Sequence, residues 1–248
     1  MNASGFRPLA FGLLLLGSPA LAGAQQAEIR AQVTARASTV LSSAMAGQIV
    51  ELTVKDGDRF KKGDRLVAFD CSIHKGKLDH SQASEQAAAK KLEVSRKLDQ
   101  LNSISMVELS DAQSALTMAK AETAINRIMV QRCVLTAPFS GRVGERFVQQ
   151  WDYVPEGREL LALYDDGGFE IEMILPSTWL AWAAPGLEFT MRVDENGRSY
   201  AARLVRLSGR VDPVSQSIKA YGEITGKTDG LLPGMSGTAL IAPPGASQ

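Results

Sequence analysis

Residues 47–67 read GQIVELTVKDGDRFKKGDRLV, and residues 141–161 read GRVGERFVQQWDYVPEGRELL. Aligned on Gly47 and Gly141, the two stretches agree over about twenty residues without a gap, which marks an internal repeat. The pairs that carry the match are Ile49 with Val143, Val54 with Val148, Asp58 with Asp152, Phe60 with Val154, Gly63 with Gly157, and Leu66 with Leu160. The repeat indicates two copies of one small structural unit.

Each copy has the pattern of short β-strands separated by turns. Asp56-Gly57 and Lys62-Gly63 are turn dipeptides, in which glycine adopts backbone conformations that other residues resist. One copy is too small to bury its own apolar face, so a single copy is not expected to fold alone. We therefore predict that the two copies face each other and close a small β-sandwich.

The repeat resembles the two half-motifs of lipoyl and biotinyl carrier domains, but its halves lie far apart. The chain leaves the first half at residues 67–70 and enters the second at residues 136–139. The hairpin that carries the modified lysine in those domains is missing at this junction, so a carrier role is not expected. A split sandwich with a long insert resembles the membrane fusion protein family, the periplasmic adaptors of tripartite efflux pumps and type I secretion systems. Residues 136–143, TAPFSGRV, are similar to that family's entry into the second half, and the resemblance extends from about Arg30 to Ile241.

The resemblance implies a mainly β protein with a long α-helical hairpin. Its parts are a split lipoyl-like (barrel-sandwich hybrid) domain, an antiparallel coiled-coil hairpin inserted in it, and a C-terminal β-barrel. The expected divisions are a signal peptide at 1–22, a segment leading from barrel to sandwich at 23–45, the sandwich at 46–70 plus 134–164, the hairpin at 71–133, the barrel at 165–242 and a tail at 243–248. The barrel signatures are Val211 to Ser217 and Leu232 to Gly237. We expect a short form without the family's membrane-proximal domain.

The insert, residues 71–133, lacks proline and aromatic residues and is rich in helix-forming residues. A break at Asn102-Ser103-Ile104, followed by a capping box from Ser105 to Glu108, predicts two antiparallel helices, each roughly 27 to 30 residues and 40 to 45 Å long. Apolar residues at heptad-like spacing predict the contact seam between them. The predicted seam residues are Ala87, Val94, Leu98 and Leu101 on the first helix, and Leu109, Ala112, Leu116 and Ala119 on the second.

The N-terminus indicates where the protein is located, and the net charge limits the partners that it can attract. Arg7, an apolar core from Leu9 to Leu16 and the small residues Ala20-Leu21-Ala22 are typical of a cleaved secretory signal, with a retained anchor as the alternative. We expect the mature chain in the periplasm. The 248 residues carry 27 basic and 27 acidic side chains, so the chain has no net positive charge that would attract nucleic acid.

Cys71 and Cys133 are the two cysteines of the chain and lie where the hairpin joins the sandwich. An exported compartment permits disulfides, so we predict that a disulfide closes the base of the hairpin; two buried thiols facing different ways are the alternative. Cys71, His74 and His80 also suggest a metal site, but their spacing and a disulfide at Cys71 argue against it. No metal or cofactor is expected.

The hairpin tip is the predicted partner-binding site. Family members that dock on trimeric outer-membrane channels carry an Arg, a Leu four residues later and a Ser seven residues beyond. Leu98 and Ser105 keep the second spacing here, while Val94 occupies the Arg position. Apolar residues at an exposed tip indicate a partner. The predicted binding residues are Leu98, Leu101, Ile104, Ser105, Met106 and Val107.

The chain contains no nucleophile elbow, phosphate-binding glycine loop or metalloprotease helix, so we do not expect an enzyme. Trp179 and Trp182 are expected to pack a short helix on the barrel and not to anchor a partner. The resemblance implies an adaptor that joins an inner-membrane transporter, an RND pump or an ABC exporter, to an outer-membrane channel and self-associates into a ring. The alternatives are a periplasmic metal- or ligand-binding module and an envelope scaffold without a transport role.

Overall fold

The computed structural model describes residues 27–242. Its strands are β1 Ala27–Ala35, β2 Ser38–Ser42, β3 Gly47–Leu52, β4 Arg59–Phe60, β5 Arg65–Phe69, β6 Val134–Thr136, β7 Gly141–Arg146, β8 Tyr153–Val154, β9 Glu159–Tyr164, β10 Phe169–Pro176, β11 Glu188–Val193, β12 Ser199–Asp212, β13 Ser217–Ile224 and β14 Ser236–Ile241. Its helices are α1 Ser72–Gln100, α2 Met106–Arg132 and a short 3₁₀ helix Ser177–Ala181. The predicted signal peptide and the tail at 243–248 lie outside the described residues.

The two copies of the repeat form a sandwich by exchanging strands. One sheet has the order β2-β9-β7-β4 and the other β6-β5-β3-β8, so the two-residue strands β4 and β8 each complete the sheet of the other copy. The strands of one copy are too few to cover an apolar face, and the exchanged strand adds the missing one to each sheet. The sandwich core is formed by fully buried side chains that include Ile49, Leu66, Leu160, Leu161 and Leu163.

The repeated aspartates shape the same turn in both copies. An Asp58 carboxylate oxygen accepts a hydrogen bond from the Lys55 amide at 2.8 Å, and an Asp152 oxygen accepts one from the Gln149 amide at 2.7 Å. Aspartate favours such turns because its side chain bonds nearby backbone donors. The aspartate is therefore repeated in the sequence because it makes the same backbone hydrogen bond in both copies.

The barrel is closed by six strands in the order β1-β10-β13-β12-β11-β14. Strand β1 pairs with both β10 and β14, so the barrel includes a strand outside residues 165–242, and the segment 23–45 does more than lead into the sandwich. Without β1 the edges of β10 and β14 would be unpaired, which a closed barrel avoids. The chain crosses to the sandwich between Ala35 and Ser38.

Helices α1 and α2 form the hairpin, and the contact face of α2 agrees with the predicted seam. Ala112 and Leu116 are buried, and Leu109 packs against them. The residues of α1 that face α2 differ from the prediction: Ser81, Leu92 and Ser95 are buried, while all four predicted residues are exposed, namely Ala87, Val94, Leu98 and Leu101. Within residues 27–242, no helix is both long and apolar enough to cross a membrane.

Small side chains explain why the seam of α1 was misplaced. The Ser81 hydroxyl donates to the Leu78 carbonyl at 2.9 Å, and the Thr123 hydroxyl on α2 donates to the Ala119 carbonyl at 3.0 Å. Because each hydroxyl is satisfied within its own helix, it can be buried at low cost, and its small size lets the helices approach closely. At Ser81 and Thr123 burial therefore does not follow hydrophobicity, which is the signal that the prediction used.

Candidate functional site: the helical hairpin and its tip

The root of the hairpin is fastened to the sandwich at three points. Strand β5 pairs with β6, the Phe69 amide donates to the Cys133 carbonyl at 2.8 Å, and a disulfide joins Cys71 to Cys133 with their Cα atoms 5.8 Å apart. Both cysteines are buried. Both helices therefore leave the sandwich from one tightly connected base, which sets the direction of the hairpin.

The tip is a short loop held by hydrogen bonds. The Leu101 and Ser103 amides both donate to the Leu98 carbonyl, at 3.1 and 2.8 Å, and Asn102 adopts a positive φ of 53° that asparagine tolerates. Ser105 caps α2: its hydroxyl accepts from the Glu108 amide at 3.1 Å, and the Glu108 carboxylate accepts from the Ser105 amide at 3.1 Å. The Ser105 amide thereby lowers the pKa of the Glu108 carboxyl. This network orders the tip before any partner binds.

The loop presents apolar side chains to solvent. Met106 is 82% exposed, Leu101 71% and Val107 68%. Ile104 is half-buried, so the most exposed surface of the tip lies at the start of α2 and at the end of α1. Exposed apolar side chains on an ordered loop are typical of a docking surface.

The three positions of the family tip motif lie in different environments. Leu98 and Val94 are both exposed on α1. The Ser105 hydroxyl both accepts from the Glu108 amide and donates to the Glu108 carboxylate, at 3.0 Å, so it is already engaged within the chain. A partner at this tip would therefore meet apolar side chains first.

The alternative metal site is not assembled in the described part of the chain. Cys71 is bonded to Cys133, His74 is half-buried in the face toward α2, and His80 is exposed. Residues 27–242 contain no cluster of three or more His, Cys, Asp or Glu side chains able to hold a metal ion. A metal would need such a set of donors.

The junction of sandwich and barrel holds a small ion-pair cluster. An Asp166 carboxylate oxygen lies 2.9 Å from Arg59 Nε and 3.4 Å from Arg142 Nε, beside a cleft of about 820 Å³. Asp166 lies three residues before β10, the strand by which the chain returns to the barrel, so the cluster ties that connection to β4 and β7. Trp179 and Trp182 pack on the barrel core, with ring centroids 4.8 Å apart.

Two exposed aromatic residues were missed by the sequence analysis. Trp151 is 63% exposed and Tyr153 74%, at the edge strand β8. Trp151 has a φ of 79°, and Gly57 at the equivalent position of the first copy has 83°. The repeat alignment contained this signal, because it places tryptophan where the other copy has a turn glycine.

Comparison with known proteins gives consistent matches. The family described as RND MFP, barrel-sandwich hybrid domain, matches residues 25–165. The chain is 25% identical to the multidrug resistance protein MdtA of Salmonella heidelberg, over 81% of this chain and 54% of that protein. It is 24% identical to the solvent efflux pump periplasmic linker SrpA of Pseudomonas putida, over 79% of this chain and 56% of that protein.

A solved structure has the same fold. A MacA-MexA chimeric protein containing the Pseudomonas aeruginosa MexA α-hairpin domain superimposes with a TM-score of 0.79 at 19% identity, covering 88% of this chain and 81% of that one. The chain spans about half the length of the curated relatives that it matches, 54% of one and 56% of another.

Proposed function

We propose, because this chain belongs to the membrane fusion protein family of periplasmic adaptors, that it joins an inner-membrane transporter to an outer-membrane channel. The matching family is the RND type, which favours an RND pump over an ABC exporter as the transporter. The named relatives are an efflux pump linker and a multidrug resistance protein, and this supports efflux as the pathway. The chain would act in the periplasm by assembly, not by chemistry.

One observation carries the proposal: an ordered, apolar tip lies at the far end of a hairpin whose base is fastened to the sandwich. The helices have 29 and 27 residues, so the tip stands about 40 Å from the base at 1.5 Å per residue. A hairpin of this length spans a distance that the sandwich alone does not. The exposed side chains Leu101, Met106 and Val107 supply the surface on which a channel would dock.

Photocrosslinking at Met106 tests the docking. Met106 is the most exposed apolar side chain of the tip, so a photoreactive residue there faces a partner without disturbing the loop. We expect irradiation of intact cells to capture an outer-membrane channel, identified by mass spectrometry. The matched control carries the same residue at Val214, which is 93% exposed on the β12–β13 turn of the barrel.

The outcome separates the adaptor from its alternative. A channel adduct at Met106 that is missing at Val214 supports the proposal. Capture of other envelope proteins with no channel, together with unchanged efflux in cells that lack the gene, would instead support a scaffold without a transport role.

A further inference from the structure

A row of polar side chains crosses the outer face of the sandwich beside the barrel. In the sheet β2-β9-β7-β4, Arg59 on β4 pairs with Arg142 on β7, and Arg142 pairs with Tyr164 on β9. Residues paired in this way lie on one face of a sheet, with their Cβ atoms about 4.5 to 5.5 Å apart. Their neighbours Val143 and Leu163 are buried in the sandwich core, so the alternation along each strand turns the row outward.

The two arginines of this row are directly opposite each other, which is unfavourable because like charges repel. An Asp166 carboxylate oxygen lies 2.9 Å from Arg59 Nε and 3.4 Å from Arg142 Nε, and this one carboxylate balances only one of the two positive charges. Within residues 27–242, the terminal nitrogens of both guanidiniums donate no hydrogen bond. The cluster therefore keeps one positive charge and two sets of unused donors.

These donors face a cleft between the sandwich and the barrel. The cleft has a volume of about 820 Å³, which is within the range of sites for small molecules. The two arginines line it on the sandwich side, and Leu232 and Pro233, from the connection between β13 and β14, line it on the barrel side. Leu232 is 51% exposed. One wall of the cleft is thus charged and the opposite wall is apolar.

The apolar wall is held in place by hydrogen bonds from the barrel. The Tyr200 hydroxyl donates to the Asp229 carbonyl at 3.1 Å, and the Asn196 side-chain amide donates to the Gly230 carbonyl at 3.1 Å. Leu231, the next residue, is buried in the barrel core. Because this segment is ordered within the chain, a ligand would not have to order it on binding, and that lowers the cost of binding.

The charged wall is shaped by a close contact between Tyr164 and Gly144. A Cβ added to Gly144 would collide with the Tyr164 ring, so the ring lies directly against the backbone of β7. The pairing of β7 with β9 also shifts register between Val143 and Glu145. Irregular pairing and a close approach at glycine are typical of strands that are shaped around a site.

Three further carboxylates limit the charge that the cleft can accept. Asp165, Glu145 and Asp229 line it together with the arginines. One Asp165 oxygen accepts a hydrogen bond from the Gly167 amide at 2.8 Å and is already engaged. A ligand with a single negative charge can contact the guanidiniums, whereas these acids repel a second negative charge. A phosphate monoester carries about 1.5 to 2 negative charges at pH 7, so a carboxylate suits the cleft better.

We propose that this cleft binds an amphiphile that carries one carboxylate. The carboxylate would accept hydrogen bonds from the terminal nitrogens of Arg59 and Arg142, for which the planar guanidinium is well suited. The apolar part of the ligand would lie against Leu232 and Pro233. The site goes beyond the proposed function and does not rest on it.

Calorimetric titration of the purified full-length protein tests the site with three matched probes. Dodecanoate has the proposed chemistry, dodecylammonium has an equally long chain with the opposite charge, and acetate is the carboxylate without the chain. We expect dodecanoate, kept below its micelle concentration, to bind at least about tenfold more tightly than either of the others. No binding of dodecanoate, or equal affinity for it and either other probe, would overturn the proposal.

Arg59→Gln removes one of the two guanidiniums and should lower the affinity for dodecanoate about tenfold. The Arg59 side chain is 71% exposed, so the variant should fold normally, which its melting temperature checks. The matched control is Arg65→Gln. Arg65 is 57% exposed and is also in an ion pair, 3.2 Å from Glu51, but lies on the other sheet of the sandwich. The control should bind dodecanoate like the parent, and equal losses in both variants would contradict the site.

Asp166→Asn separates a binding role of the arginines from a merely structural one. The substitution removes the carboxylate that competes for both guanidiniums, so the affinity for dodecanoate should rise about threefold. If the cluster served only to hold the sandwich and the barrel together, Asp166→Asn and Arg59→Gln would both lower the affinity. A fall in both variants would therefore overturn the proposal.

Vesicles test whether the anionic group belongs instead to a membrane lipid. We expect the parent and Arg59→Gln to sediment equally with vesicles of phosphatidylglycerol, and equally with vesicles of phosphatidylcholine. Sedimentation with phosphatidylglycerol that depends on Arg59 would make a lipid head group the ligand and overturn the choice of a free carboxylate.

Failure of this site is distinguishable from failure of the adaptor function. A channel adduct at Met106 without binding of dodecanoate overturns the site and leaves the adaptor function intact. Binding of dodecanoate that depends on Arg59, without a channel adduct, supports the site and counts against docking on a channel.

Discussion

At the scale of single residues, the two glycines that open the repeat have different reasons to be there. A Cβ at Gly141 would collide with the backbone carbonyl oxygen of Tyr164 and lie 3.0 Å from the Cα of Asp165. A Cβ at Gly47 would meet the Phe69 side chain at 3.5 Å, an ordinary contact. The sequence repeat treats the two as equivalent, but only the second copy requires glycine for space.

We therefore predict that Gly141→Ala lowers the free energy of unfolding by about 2 to 4 kcal/mol, because backbone atoms must move to relieve the clash. Gly47→Ala is the matched control and should change it by less than about 1 kcal/mol. Chemical denaturation of both variants measures the difference. Equal effects at the two positions would show that the close approach at Gly141 does not limit the fold.

The ion pair between Glu170 and Arg206 predicts a dependence of stability on pH. Arg206 donates from both terminal nitrogens to the Glu170 carboxylate, at 2.7 and 3.0 Å, and its guanidinium lies 4.1 Å from the Tyr221 ring centroid. Hydrogen bonding from Arg206 lowers the pKa of Glu170 from its ordinary value of 4.5. The folded protein thus favours the ionised carboxylate. Its contribution is present above pH 4.5 and is lost as the pH falls through the lowered pKa.

Glu170→Gln should therefore be less stable than the parent by about 1 kcal/mol at pH 7, because the pair is bidentate but partly exposed. The difference should shrink on acidification below the ordinary pKa of a glutamate. Thermal unfolding of both proteins across this pH range checks the prediction. A difference that stays constant with pH would assign the effect to packing and not to charge.

At the scale of the hairpin, the structure places Leu92 in the seam and Val94 outside it. Leu92 is 3% exposed and packs with Ala112 and Leu116, whereas Val94 is 56% exposed. Leu92→Ala should lower the stability of the helices by about 2 to 3 kcal/mol, since it removes buried apolar atoms and leaves a cavity. Val94→Ala should change it by less than about 0.5 kcal/mol. Far-UV circular dichroism during thermal unfolding measures both variants, and the reverse order of effects would restore the seam that the sequence analysis predicted.

At the scale of the whole molecule, the exposed tip gives a prediction about transport. The double variant Met106→Gln, Val107→Gln replaces apolar surface that no described residue covers, so folding should be unaffected while docking is weakened. We expect efflux, measured as substrate tolerance of the producing cells, to fall about tenfold at an unchanged melting temperature. Val214→Gln, an equally exposed change on the barrel, should leave efflux intact. Normal efflux by the tip variant would remove the tip from the mechanism.

Several features were predictable because they depend on local sequence. The repeat, its turn glycines and aspartates, the two helices and the capping box at Ser105 all follow from short-range backbone preferences and hydrogen bonds. The disulfide between Cys71 and Cys133 followed from two cysteines at the two ends of one insert. The exposure of Met106 and Val107 followed from apolar residues beside a helix break.

Other features were decided by tertiary structure, because they depend on which surfaces meet. The exchange of β4 and β8 between the copies and the closure of the barrel by β1 are long-range pairings with no local signal. The seam of α1 includes the polar Ser81 and Ser95 beside Leu92 and leaves the apolar Val94 exposed, which hydrophobicity alone does not predict. The positive φ of Trp151 was also decided at this level, because the backbone conformation at a turn depends on the strands that it joins.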